Sequence, residues 1–429
     1  MLSFRRSLRR SARTAPTSDS TSVPNSNSEF QMAANISAND KLLIDELRSA
    51  LKDDLELVPG YDDDLSLLRW LVGWDRRVDV VVPKLSQALQ TVNALGLQNE
   101  DFTSLEAVKN YCDNISKPAC YMPGSLIGHD KDGNVISLQC LGVIDGTGLL
   151  RSTMISDLYL MRIAESEGVM QLIRDSEQQT GRQYGTCVII DLDGISMDSI
   201  DWAAIKVITG MLSKLQELFP DVLRKLYVIR APSFIQLLWA AISPCLAKQT
   251  QQKIEFLGGD WKEKLRANID PSTLYEHWGG TRPSDTPSGD VRMGGKVPKD
   301  LYYDPALDAT AQRKDLIKLN VPARGSTFVP ILVEGGVNPR RKLRWWWKCD
   351  SGDLDFAVRR APCGVETASK AEEEGDAVCW PKWRLLTEFV PDSRAIKIPA
   401  PGLYKLTFDN SHGKLWSKTV KYYVTIEED

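Results

Sequence analysis

The sequence predicts three parts in series: a helical lead-in, an α/β domain on a mixed or parallel sheet, and an all-β sandwich. Three observations carry this. Leu42, Leu43, Leu47 and Leu51, then Leu65, Leu68 and Leu71, recur at helical spacing. From Tyr121 to Arg282, strand-like and helix-like stretches alternate, which implies right-handed crossovers between neighbouring strands. Beyond Leu316 helical spacing vanishes, and seven short β-rich runs are separated by turn residues.

The expected boundaries are 1–38 for a disordered basic arm and linker, 39–110 for the lead-in, 111–282 for the α/β domain, 283–315 for a linker and 316–429 for the sandwich. In the lead-in, Asn39 and Asp40 offer an N-cap, and Asp62 to Asp64 place acids at the next helix start. Pro83 is expected to open a third helix, which Gly96 ends.

In the α/β part, 134–143 reads as a strand after the turn at 131–133, and 156–180 as a long helix. The run 186–192 (TCVIIDL) is continuously apolar, as in strands buried on both faces. A helix over 199–219, a strand over 225–230, an apolar helix and the strand KIEFLG follow. The apolar helix, Ser233 to Pro244, is unusual. Phe234, Leu237, Leu238 and Ala241 make one face, while Ile235, Trp239 and Ile242 cover the others. It is far shorter than the ~20 residues of a membrane span. Such a helix is either deep core or meets something greasy that is not protein.

The expected strands of the last part are 316–321, 327–333, 342–349, 354–358, 395–398, 403–408 and 418–426; 359–387, with AEEEGD inside, reads as a loop insertion. In the last run Val420, Tyr422, Val424 and Ile426 alternate with Lys421, Tyr423 and Thr425. Alternation also sets Trp346 opposite Trp345 and Trp347, so at least one indole is expected outward or in an interface.

At 429 residues the chain has room for two or three cores, and its net charge of −4 excludes bulk electrostatic binding of nucleic acid. Residues 1–18 carry five arginines and no acid, leaving −9 on the rest. An Arg- and Ser-rich amphipathic start resembles a mitochondrial presequence; the alternative is a disordered basic arm on anionic lipid. No apolar run reaches spanning length, so the expected location is cytoplasmic and peripheral to membranes, with a mitochondrial one as the alternative. Eight cysteines without a CxxC pair suggest reduced thiols.

Catalytic signatures are missing: no GxGxxG, Walker loop, GxSxG elbow or HExxH occurs, and no enzyme is expected. His129, His277 and His412 match no zinc spacing, so neither metal nor cofactor is expected. The glycines of 145–148 (DGTG) read as a turn. Asp191 and Asp193 could bind a metal or act as acid and base, but a strand-ending turn is simpler.

LFPDVLRKLYVIRAP, the apolar helix, KIEFLGG and HWGGT together resemble the core of the CRAL-TRIO lipid-binding family, which includes phosphatidylinositol/phosphatidylcholine transfer proteins and tocopherol- and retinal-binding proteins. DDLSLLRWLVGWDRRVDVVVPKL resembles that family's helical lead-in, and YMPGSLIGHDKDGNVISLQCLGVIDGTGLL and TCVIIDLDGIS its first sheet segments. LRWWWKCDSGDLDFAV and PGLYKLTFDNSHGKLWSKTVKYYVTIEE resemble the GOLD (Golgi dynamics) β-sandwich.

The resemblance implies that the apolar helix is a gate over a lipid pocket, with Phe234, Leu237, Leu238, Trp239 and Ala241 as gate residues. It also implies headgroup contacts at Asp221, which stands where the family usually has Glu, and at Thr250 and Lys253. The implied ligand is a single lipid, either a phospholipid such as phosphatidylinositol or a tocopherol or isoprenoid, with no other cofactor. The implied partners are a transient membrane surface and a protein met through the GOLD sandwich. Transfer of that lipid between membranes is the implied activity, and a lipid-sensing adaptor the alternative.

Overall fold

A computed structural model describes residues 36–338, 340–362, 364–373 and 375–428 and contains the three expected parts. The basic arm and presequence reading lie outside the described residues. The lead-in comprises α1 (Ala38–Ala50), α2 (Lys52–Leu57), α3 (Asp64–Gly73), α4 (Val78–Leu95) and α5 (Leu105–Asp113). The cap of α1 is Ser37, whose hydroxyl accepts from the Asp40 N–H at 3.0 Å, rather than Asn39 or Asp40. Asp63 caps α3 by accepting from the Ser66 N–H at 2.8 Å. Pro83 does not open α4 but lies inside it. The buried Val81 extends the apolar stripe upstream, and its burial offsets one missing backbone bond. Gly96 ends α4 at φ 72° as expected, a left-handed turn that favours glycine.

The α/β part runs β1 (Ser125–His129), β2 (Val135–Gln139), α6 (Gly146–Ser152), α7 (Ile155–Thr180), β3 (Thr186–Asp191), α8 (Trp202–Leu218), β4 (Leu223–Ile229), α9 (Ile235–Ile242), α10 (Lys248–Gln252), β5 (Ile254–Phe256) and α11 (Trp261–Asn268). The five strands lie in sequence order; β1 and β2 are antiparallel and the rest parallel. The DGTG segment is a helix start: Asp145 caps α6 by accepting from the Gly148 N–H at 3.0 Å.

The sheet has two unlike faces. On one, Ile136, Leu138, Cys187, Ile189, Tyr227 and Ile229 pack against Leu265, Ile269, Leu274 and Trp278. On the other, register aligns two rows across four strands: Ser137–Val188–Leu226–Ile254 and Gln139–Ile190–Val228–Phe256. The 186–192 run is therefore packed by protein on one face only, because the second face fronts a cavity.

Two polar links tie the lead-in to α7. Arg69 donates to Glu177 at 2.5 Å and to the Tyr184 carbonyl at 2.9 Å, and the Tyr61 hydroxyl donates to Glu167 at 2.5 Å. Removing one member of such a buried pair leaves an uncompensated charge.

The sandwich comprises β6 (Ile317–Val321), β7 (Ser326–Val333), β8 (Arg341–Cys349), β9 (Asp353–Arg360), β10 (Ala377–Leu386), β11 (Asp392–Lys397), β12 (Gly402–Asp409) and β13 (Lys418–Glu428). One sheet is ordered β10-β9-β12-β7 and the other β11-β8-β13-β6. Trp345, Trp347, Phe356 and Phe408 fill the space between them.

The expected loop insertion over 359–387 contains a strand, β10. Pro381 hid it, since proline argues against a central strand. Here β10 is an edge strand with register shifts on both sides of Trp380, where a proline is tolerated. Trp346 does point away from its neighbours but is covered by 283–315: its indole donates to Asp308 at 2.8 Å, which also accepts from the Tyr303 hydroxyl at 2.7 Å. The interface expected there lies within the chain itself.

The sandwich docks on the lead-in and the α/β part through β10, which lies along α4, α7 and α8. Tyr159 stacks on Trp383 at 5.4 Å, Lys206 pairs with Asp353 at 2.9 Å, and Arg394 pairs with Asp157. Burial pushes the Asp157 carboxyl up, against the pull of Arg394. Burial also opposes ionisation of Asp353, but Arg384 and Lys206 outweigh it and hold that group at about 2. Trp383→Ala removes the stacked indole and should destabilise the chain by about 3–5 kcal/mol. In urea unfolding and limited proteolysis, the midpoint should fall and cleavage in 283–315 should rise. Unchanged cleavage would show that this stack does not hold the sandwich in place.

Candidate functional site

A cavity of about 390 Å³ lies between the second face of the sheet and helices α7, α8 and α9. Helical spacing sets its walls: Val169 from α7, then Ile208, Met211, Leu212 and Leu215 from α8. The fourth wall is α9, which turns Ile235, Leu238, Trp239 and Ile242 inward. The Trp239 ring meets Phe256 edge-on at 5.6 Å.

Among the described residues, the far side of α9 is left largely open to solvent. Gln236, Leu237 and Ala240 are exposed, Leu237 by 43%, and Phe256 beside it by 42%. Of the two alternatives for the apolar helix, deep core is excluded. Of the five expected gate residues, Leu238 and Trp239 line the cavity. Phe234 and Ala241 are half-buried outside its lining, and Leu237 faces outward. Ile235 and Ile242, which complete the inner face, were not singled out, because an all-apolar helix gives no period to say which side is in.

Polar groups gather in two places. At the start of β4 and β5, the implied headgroup residues Asp221, Thr250 and Lys253 lie together at the cavity, joined by Gln216 of α8. Lys253 donates to the Asp221 carboxylate at 3.0 Å and to the Leu223 carbonyl at 2.7 Å. The Gln216 side-chain oxygen accepts from the Thr250 hydroxyl at 3.1 Å and the Ala247 N–H at 2.8 Å, fixing the chain beyond α9. Asp221 sits at φ 50°, a strained position for a non-glycine, held by Arg224 and by Arg69, which donates to its carbonyl at 3.1 Å. Burial raises the Asp221 carboxyl, but Arg224 and Lys253 outweigh it and leave the group below the usual carboxylate range.

The second place lies toward β1 and β2, where Ser137, Gln139, Arg162, Glu165 and Ser166 reach the lining. Gln139 donates to Ser137 at 2.8 Å; Arg162 donates to Glu165 at 2.6 Å and to the Pro123 carbonyl at 2.9 Å. Gly124, at φ 118°, leaves room for Gln139: a Cβ there would lie 2.3 Å from its side-chain oxygen. Sequence reading missed this group. The available signal was an Arg and a Glu three apart in a largely apolar helix.

The Asp191 and Asp193 carboxylates are both engaged by Arg230, and among the described residues no group of three or more His, Cys, Asp or Glu side chains could hold a metal ion. Among the described residues no helix is long and apolar enough to cross a membrane.

The CRAL/TRIO domain model matches residues 121–280, the span that holds the sheet and the cavity. That match identifies a CRAL/TRIO domain over those residues, followed in this chain by a β-sandwich. Protein ctg-1 of Caenorhabditis elegans is 26% identical over 393 residues, covering 89% of this chain and 96% of its own. Protein real-time of Drosophila pseudoobscura pseudoobscura is 28% identical over 272 residues, and this chain spans only 38% of its length. The Aedes aegypti protein real-time is 27% identical over 320 residues, 47% of its length. The crystal structure of Sfh5 aligns over 58% of this chain and 90% of its own, with a TM-score of 0.43 and 16% identity.

Asp221→Asn would leave Lys253 and Arg224 without their shared carboxylate, at a cost of about 3 kcal/mol. Because the folded carboxyl is held low, its contribution is present above the unfolded value of about 4 and is lost as pH falls through the folded one. Urea midpoints should therefore show a constant gap between the two proteins from about pH 7 to 5 that narrows below about 4. A gap that widens on acidification would contradict this assignment.

Proposed function

We propose that the protein binds one lipid in this cavity and carries it between membranes, with α9 as the moving wall. The observation that carries the reading is a helix lining an apolar cavity on one side and exposing apolar side chains on the other. A lipid with ~30 methylenes carries more than about 20 kcal/mol of transfer cost into water, at about 0.8 kcal/mol each. Near-complete enclosure offsets that cost, and enclosure requires a wall that opens. Closed, α9 packs on the sheet; open, it can lay both faces against a bilayer, so the membrane shifts the population toward the open form.

The two polar groups favour a ligand with a long apolar body and at least one polar end. Lys253, Thr250 and Gln216 suit a phosphate or hydroxyl, consistent with phosphatidylinositol, while the Ser137–Gln139 pair suits a neutral hydroxyl, consistent with a tocopherol or isoprenoid. No bond is made or broken in this cycle. Membrane contact is peripheral and brief, made from the cytoplasm.

A second reading has one observation in its favour. The helices α7 and α8 wall the cavity and also seat the sandwich, through Tyr159 on Trp383 and Lys206 with Asp353. A GOLD sandwich seated there could report lipid occupancy to a protein partner.

Vesicle-to-vesicle transfer of a fluorescent phospholipid tests the first reading. Trp239→Asp puts a charge on the inner face of α9 and should abolish transfer while the sandwich stays folded. Transfer at the wild-type rate would mean that α9 is a static wall.

A further inference from the structure

The segment entering α9 is held by an arrangement that a static wall does not need. Arg230 directly follows β4, five residues before α9, and sits at φ 52°, a left-handed conformation unfavourable for an arginine. All three of its guanidinium nitrogens are engaged. Nε donates to Asp191 Oδ1 at 2.9 Å, Nη1 donates to Asp193 Oδ2 at 2.8 Å, and Nη2 meets both Asp191 Oδ2 and, at 2.7 Å, His277 Nε2. The far end of the clamp is rigid. Asp191 is the buried last residue of β3 and also accepts from the Trp278 indole at 2.9 Å, inside the core beneath the sheet.

We propose that Arg230 is the positioning residue of the gate: clamped by Asp191, Asp193 and His277, it holds the backbone turn that keeps α9 against the cavity, and its release lets α9 swing away. This rests on the reading of α9 as the moving wall. A side-chain clamp on a strained turn is bistable, because losing the contacts also removes the reason for the strained backbone.

His277 makes the clamp conditional. Its Nε2 faces an arginine N–H, so it must be the accepting, neutral nitrogen. The groups facing the imidazole are Arg230 from the β4–α9 segment, Asp191 and Asp193 from the end of β3, and Lys262 from α11, with the Trp278 ring against it. Burial and Arg230 hold its pKa below the usual value, against the pull of the two carboxylates. A histidine depressed in the clamped state stabilises that state above its ordinary range, and the effect is lost as pH falls. Acidification therefore favours release.

The test follows amide hydrogen exchange over residues 231–247, read without any lipid, alongside vesicle transfer of a fluorescent phospholipid. Arg230→Gly removes the clamp and accepts the positive φ. It should speed exchange over 231–247 several-fold, leave strand residues 186–191 unchanged, and raise transfer. In the wild type, exchange corrected for the intrinsic amide rate at each pH, and transfer, should both climb from about pH 7.5 to about 5.5, across the ordinary histidine range. His277→Gln keeps an acceptor for Arg230 without titrating, and its corrected exchange and its transfer should stay flat at the wild-type values of the higher pH. Unchanged exchange in Arg230→Gly, or a pH rise that persists in His277→Gln, overturns the proposal. Exchange that responds as expected while no protein moves lipid supports the clamp and counts instead against the transfer reading.

Discussion

The described residues are arranged around one apolar wall that fronts a cavity instead of a packed core. The second face of the sheet fixes that wall. Two rows of side chains, in register across β2 to β5, begin in the polar Ser137 and Gln139 and continue through Val188, Leu226 and Ile254, or Ile190, Val228 and Phe256. A period-two alternation guarantees that the residues between them, such as Cys187 and Ile189, turn to the opposite core. The sheet is thus rigid because its first face is packed by protein, and its second face is free to serve as a container. The helices α7 and α8 complete the container with long, well-anchored walls, and α9 with a single short one.

The same economy of elements explains the position of the sandwich. An edge strand such as β10 exposes unpaired backbone, and proteins cover or bend such edges. Here β10 is bent by the irregularities around Trp380 and Pro381 and laid along α4, α7 and α8. The contact mixes a stacked aromatic pair with ion pairs such as Lys206–Asp353, so it fixes orientation as well as area. The segment 283–315 adds to this: Val291 and Val297 are buried, and Asp308 gathers the Trp346 and Tyr303 donors. It is packed structure joining the two parts.

Most of the fold was legible because it rests on local periodicity. The alternation of buried strands with amphipathic helices gave the α/β part, and the two-residue period of Val420 and Tyr422 gave the last strand, which lies between β8 and β6 in its sheet. The resemblance singled out Asp221, Thr250 and Lys253, which the structure places along the cavity, and the apolar run from 233 to 244 marked α9 without revealing its inward side. What stayed hidden depends on partners distant in sequence. The strand β10 was obscured by a proline that only an edge position tolerates. The cover on Trp346 comes from Asp308, 38 residues upstream. The clamp on Arg230 joins Asp191 and His277, which lie 39 and 47 residues away on either side, and a spacing of that size carries no pattern.

The central claim is that the cavity is a lipid site, and native mass spectrometry of the purified protein, with extraction and identification of what it carries, tests it most directly. The account predicts one lipid per chain, or stoichiometric uptake of one when phospholipid, tocopherol or isoprenoid is offered. A protein that carries none and takes up none would contradict it.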